Sequence, residues 1–362
     1  MTDTVLQDVN PFCDLAPPAD TPRRKPIGNF FAIAPLAWAR ACALGLNAAV
    51  AYLVLAAFSG RDNTWTLAGY NAVETHTGIS RGRAHEAVQR LEEGGLLSSR
   101  DPGTLRRYFL LHGLVADPGH YDDPAASGLI WLPRALVDGT AGEAPLERIR
   151  KRQDVRLLRF FIDLYAAQHL IEEGGLPWRA MRCSYAKVRV GEWEPYTVVG
   201  YGNPVLQIFP DHPLLENMAG DLELGRQVLD DLTQLINMGL IEVVEHLVEG
   251  LGDTAEILHP CPPTGGTSIE RTVASAADKA ARMMMPDSRM RQAQEKLGTP
   301  CVLVPLEHAL DQAEMVDILR LRYRPRTTRT SAWWQHTRAR CDRALERYER
   351  MAAFVARRSP RQ

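Results

Sequence analysis

The apolar positions of residues 46–111 change period once, from helical to alternating. Leu46 to Phe58 places Val50, Leu53, Val54 and Ala57 at the three-and-four spacing of a buried helix face. A second short helix is predicted over about 67–75, closing at His76-Thr77-Gly78, where glycine takes the positive φ that a Cβ-bearing residue resists. Ser80 then reads as the N-cap of a third helix, with Ala84, Ala87, Val88 and Leu91 on its buried stripe. Gly82, Glu86 and Gln89 fall on the far side, flanked by Arg81, Arg83, His85 and Arg90. Gly94-Gly95 ends this helix, and the period becomes two. Leu96 to Ser99 and Leu105 to Leu111 read as strands about an Asp101-Pro102-Gly103-Thr104 turn, with Arg100, Arg106 and Arg107 near its tip.

Upstream, residues 1–28 are rich in Pro and Asp and predict a flexible arm, and Phe30 to Phe58 predicts a helical region started by Pro35. Downstream, Asp117-Pro118-Gly119 reads as a boundary. Beyond it come a short strand at Leu129 to Pro133, a helical turn at Arg134 to Asp138, and a helix from Asp154 to Glu173 stopped by Gly174-Gly175. Residues 176–218 are mixed, strand-like at Ala186 to Val190 and Tyr196 to Val199 and interrupted by Pro195, Pro204, Pro210 and Pro213. A helix over about 222–237, Gly239, and two strands (Leu240 to Val248, Ala255 to His259) repeat the order seen over 80–111. A second module of the same kind, carrying an insertion, is therefore expected. The remainder reads as helical: the stretch up to Pro286, Met290 to Leu297, Leu306 to Tyr323 and Ser331 to Arg357, with one strand at Cys301 to Val304. The last helix carries a heptad-like stripe of Trp334, Cys341, Leu345, Tyr348, Ala352 and Val355, suited to packing on the body or on a second subunit. A row of Arg340, Arg343, Arg347 and Arg350 runs beside it.

The stretch Thr64 to His112, and within it GISRGRAHEAVQRLEEGGLL, resembles the winged-helix DNA-binding proteins of bacteria, in particular the recognition-helix region of GntR-like and MarR-like regulators. The resemblance covers about 65 residues, from Leu46 to Leu111. It implies that Arg81, Arg83, His85 and Gln89 meet bases in a major groove, and that Ser80, Arg90, Arg100, Arg106 and Arg107 meet phosphates. The fold class expected is mainly α with small β-hairpin wings: tandem winged-helix modules followed by a helical region. The expected divisions are an arm (1–28), a DNA-binding domain (29–118), a second winged-helix-like domain with an insertion (119–262) and a basic helical region (263–362).

Charge refines this picture. The net charge is only −2, yet thirteen arginines stand against three acids from Arg320 onward, a basic tail on an acidic body. Residues 221–249 hold Asp221, Glu223, Asp230, Asp231, Glu242, Glu245 and Glu249 against Arg226 alone, so the second module should repel a phosphate backbone and suits a partner or dimer contact. A basic cluster of Arg148, Arg150, Lys151, Arg152, Arg156 and Arg159 has two readings, a lateral phosphate surface or a solvated face. The six cysteines form no C-x-x-C pair and fit buried thiols in a reducing compartment. The most apolar run, Leu44 to Phe58, is too short to span a bilayer, and with no charged stretch followed by an apolar one at the start, a secretory signal is not expected. Phosphate-binding glycine loops, the G-x-S-x-G elbow and H-E-x-x-H are all missing from the sequence. The expectation is a cytoplasmic, nucleoid-associated, homodimeric, non-enzymatic protein that binds double-stranded DNA without metal or cofactor and regulates transcription. The alternatives are a plasmid or phage replication initiator and an interaction subunit of a nucleoprotein or defence assembly.

Overall fold

The computed structural model describes residues 29–59, 65–100, 107–110, 128–140, 142–170, 173–209, 222–252, 254–299 and 301–358. The predicted arm, Arg106 and the Asp117-Pro118-Gly119 boundary lie outside them. Strand β1 (Phe30–Ile33) pairs antiparallel with β5 (Ile130–Pro133), so the run before the first helices is extended rather than helical. Between these strands come α1 (Pro35–Ala43), α2 (Leu46–Ala57), β2 (Trp65–Thr66), α3 (Tyr70–Thr77), α4 (Arg81–Glu93), β3 (Leu97–Arg100) and β4 (Arg107–Leu110). Pro35 does start α1, at a position where its missing N–H costs nothing. Strands β2, β4 and β3 form a small antiparallel sheet in that order.

Helix α2 is the axle of this half. All ten residues from Ala48 to Ala57 are buried, so it has no polar face, as expected of a helix enclosed on every side. The predicted stripe of Val50, Leu53, Val54 and Ala57 is thus only part of its buried surface. It packs on α1, α3 and α4, and on α5 (Ala135–Asp138), α6 (Pro145–Lys151) and α7 (Val155–Ala166), which cover the side that a lone three-helix module would leave open. Asp154 caps α7 by accepting the N–H groups of Arg156 and Leu157.

The rest of the chain corrects the expected fold class. Strands β6 (Met181–Trp193), β7 (Tyr196–Ile208), β8 (Ile241–Val248), β9 (Ile257–Pro260), β10 (Val302–Glu307) and β11 (Glu314–Leu321) form one antiparallel sheet in the order β10-β7-β6-β11-β8-β9. Helix α8 (Leu222–Asn237) precedes β8, while α9 (Ser268–Met284), α10 (Asp287–Leu297) and α11 (Thr328–Arg358) pack with the sheet. The protein is α+β, not mainly α with small wings, and 119–262 is not a second winged helix. Strands β8 and β9 are paired as expected, but β8 also pairs with β11 along its whole length, which makes it an interior strand. Residues 306–323, read as a helix, instead give the end of β10, a 3-10 turn and β11. Seven of the eight residues of β11 are buried, and a short run buried on both sides carries no period to separate strand from helix.

Proline explains a second miss. Pro204 sits at the register shift between the Ser184 and Ala186 pairings of β6 and β7, and Pro305 lies in the edge strand β10, both places where a missing N–H is tolerated. Gly202 lets the sheet meet α10 closely, for a Cβ there would stand 2.4 Å from the Leu297 carbonyl oxygen. Helix α11 buries Thr330, Trp333, Thr337, Cys341, Ala344, Tyr348, Met351 and Val355 against α9 and β9 of the same chain; Cys341, Tyr348 and Val355 of the predicted stripe are among them, while Trp334, Leu345 and Ala352 are half-buried. That face is therefore spent inside the subunit.

Two buried polar clusters lie at the sheet. In the first, Glu270 of α9 accepts from Arg320 (2.7 Å) and from the Thr267 backbone N–H (2.7 Å). Arg320 also donates to His246 Nε2 (2.6 Å), while His246 Nδ1 donates to the Val244 carbonyl (2.7 Å), so the ring is held neutral. In the second, Asp317 of β11 stands directly opposite Glu245 of β8 and accepts from the Tyr185 hydroxyl at 2.7 Å. Glu245 Oε2 is buried with no hydrogen-bond partner among the described residues. No helix among the described residues is long and apolar enough to cross a membrane.

Candidate nucleic-acid interface

The site follows from the turn between α3 and α4. Gly78 adopts a left-handed conformation (φ 65°) and its N–H donates to the Glu74 carbonyl, ending α3 where the sequence places the turn. Thr77 is buried, and its hydroxyl donates to the Val73 carbonyl and accepts the Ile79 N–H, which fixes the angle at which the chain enters α4. Glu147 and Arg150 of α6 back this turn, 3.3 and 3.7 Å from where a Cβ on Gly78 would stand.

Helix α4 buries Ala84, Ala87, Val88 and Leu91, the stripe read from the sequence. Small residues at 84 and 87 bring α4 close to α2 and α3. Ser80, Arg81, Arg83, His85, Gln89 and Arg90 are all exposed. Ser80 is the exposed N-cap residue, and its hydroxyl makes no capping bond to the first-turn N–H groups of α4. Arg81 lies over the Tyr70 ring (5.4 Å), and the Tyr70 and His85 rings are 5.6 Å apart. Tyr70 thereby holds both side chains on one flank of α4. The sequence reading overlooked Tyr70 because it began α3 three residues early, and the signal available was Gly69, at which α3 is N-capped.

The helix has a polarity of charge. Its first turn carries Arg81 and Arg83 and no acid, while its last carries Glu92 and Glu93 beside Arg90. Gln89 donates to Glu93 (2.9 Å) and Arg90 pairs with Glu86 (2.6 Å), so these two reach a ligand only by exchanging an exposed contact worth about 0–1 kcal/mol. Arg83 has no ion pair among the described residues. Arg100 and Arg107 sit opposite each other across β3 and β4, at the tip end of the hairpin.

The basic cluster after residue 148 is mostly committed to the protein itself. Arg148 donates to the Met238 carbonyl (2.6 Å) and to the Tyr323 hydroxyl (3.0 Å). Lys151 pairs with Glu143 and Glu147, Arg156 with Asp154 and Asp231, and Arg159 with Asp163. These pairs brace α6, α7 and α8, while Arg152 is exposed with no ion pair among the described residues. Among the described residues no group of three His, Cys, Asp or Glu is placed to hold a metal ion. No family model, curated protein or solved structure matches the chain.

Proposed function

We propose that the chain binds double-stranded DNA through α4 and the β3–β4 hairpin, in the manner of a winged helix, and regulates transcription by binding rather than by catalysis. The observation that carries the reading is the outward presentation of Arg81, Arg83, His85 and Gln89 on a helix whose opposite stripe is wholly buried. An α-helix fits a B-DNA major groove, and arginine there reads guanine through two parallel hydrogen bonds. The cationic start of α4 is the end such helices insert, with Ser80 and the first-turn N–H groups at phosphate. Its acidic last turn points away from the groove. Arg100 and Arg107, paired across the hairpin, supply charge without base readout in this reading.

The two roles separate experimentally. Duplexes selected from random sequence by the full-length protein would be titrated by fluorescence anisotropy over a range of salt. Arg83→Ala is expected to lose about 1–3 kcal/mol of discrimination at one base pair. The double variant Arg100→Ala/Arg107→Ala should weaken all duplexes alike and flatten the salt slope by about 2. Equal effects of both variants on random and selected duplex would contradict the division of roles. Footprinting then tests regulation itself, with protection of a promoter-sized site expected and protection of an array of repeats pointing to replication initiation.

A further inference from the structure

The longest helix carries a charge pattern that the proposed α4 site does not use. Helix α11 holds eight arginines and three acids over 31 residues. His336, Arg343, Arg350 and Arg357 recur every seven residues, and all four are exposed. Seven residues are close to two turns, so the four stay on one flank along about 32 Å of helix. Asp342, Glu346 and Glu349 fall about a quarter-turn round the helix from this row.

The pairing expected within the helix is not made. Glu346 and Arg350, and Arg338 and Asp342, are each four apart, yet Arg350 reaches only the Glu346 backbone carbonyl (3.3 Å). Arg343, Arg350 and Arg357 form no ion pair among the described residues, in contrast to the cations of α6 and α7. The buried face of α11 is covered by α9 and β9, which fixes the direction of the row. Its root is tied to the α4 half. The Tyr165 hydroxyl of α7 donates to the Tyr323 carbonyl (2.8 Å), and Arg148 of α6 holds the Tyr323 hydroxyl, five residues before α11 begins.

We propose that the exposed row His336, Arg343, Arg350 and Arg357 is a second surface for the phosphate backbone of duplex DNA, additional to α4. The proposal rests on the reading of α4 as a duplex-binding helix, since that reading supplies the polyanion. A row of this length spans about nine base-pair rises. The neighbouring acidic strip is repelled by phosphate, so it sets which way the helix rolls onto the duplex.

The test uses the full-length protein, a short duplex holding only the α4 site, and one extended by about fifteen base pairs on either side. Arg343→Ala/Arg350→Ala/Arg357→Ala should leave binding to the short duplex and the sequence preference unchanged. On the long duplex it should lower the salt slope by about 2.7 and the affinity by about ten- to a hundredfold. The same three positions changed to Lys should restore most of the loss. The side chains are exposed, so an unchanged thermal midpoint shows that the fold is intact. Identical long-duplex slopes for the wild type and the triple Ala variant would overturn the proposal. So would loss of binding to anionic lipid vesicles with duplex binding untouched. If Arg81→Ala/Arg83→Ala has no effect while the triple variant loses duplex binding, the α4 reading fails and the row stands. If the wild type binds no duplex, both fail.

Discussion

Replacing Glu270 by alanine is expected to cost about 3–5 kcal/mol of stability, read as a fall in the urea midpoint with an unchanged m-value. The Glu270 and Arg320 side chains are 0% and 1% exposed, so the variant leaves a guanidinium in the interior without its counter-charge. His246 cannot replace the carboxylate, because its ring meets Arg320 as a neutral acceptor. Burial alone would raise the Glu270 pKa, but Arg320 and the Thr267 N–H outweigh it and hold the carboxyl down at about 2. A depressed carboxyl stabilises the fold above its unfolded pKa, and that stability is lost as pH falls from the ordinary glutamate value toward 2. The apolar pair Glu270→Met/Arg320→Met should recover much of the loss, since neither member is then left unpaired. A cost under about 1 kcal/mol for Glu270→Ala would show that the pair does not hold α9 to the sheet.

The second large effect has the opposite pH sense. Glu245 is pushed up to about 8 by burial first and by the Asp317 charge next, and Asp317 is raised to about 6 by burial against the hydrogen bonds from Tyr185 and Cys183. A carboxyl raised in the folded state contributes its full stability below the unfolded pKa and loses it as pH rises through the folded one. Glu245→Gln mimics the protonated side chain at every pH. It should match the wild type near pH 4 and become the more stable protein as pH rises, by on the order of 3–5 kcal/mol near pH 8. Paired denaturant titrations from pH 4 to about 9 measure that difference. A flat difference would mean that water or structural relaxation solvates the Glu245 carboxylate. The acid limb of both proteins should remain, for burial drives His246 well below the ordinary histidine value and His259 down to about 4. Those rings resist charging until the medium is acidic.

What the sequence reached and what it missed divide by the range of the interactions. The turn at Gly78, the buried stripe of α4, the stop at Gly94-Gly95 and the pairing of β3 with β4 in a hairpin are set by interactions close along the chain, so they were legible. The exposure of Arg81, Arg83, His85 and Gln89 follows from the same period. Local pattern could not show that Tyr70 would hold Arg81 and His85, whereas the Glu86–Arg90 and Gln89–Glu93 pairs, each four apart on one helix, were open to it.

By itself the sequence determined where α2, α4 and most later helices run, because their amphipathic or apolar periods are properties of the chain. Only the tertiary structure decided that six strands between residues 181 and 321 join one antiparallel sheet, and which cations are neutralised. Strand partners lie far apart along the chain, as β6 and β11 do, and a strand buried on both faces loses the alternation that would announce it. Charge behaves likewise. The basic residues after 148 and those of α11 look alike as text, but acids from other elements reach Lys151 and Arg156, whereas Arg343, Arg350 and Arg357 form no ion pair among the described residues.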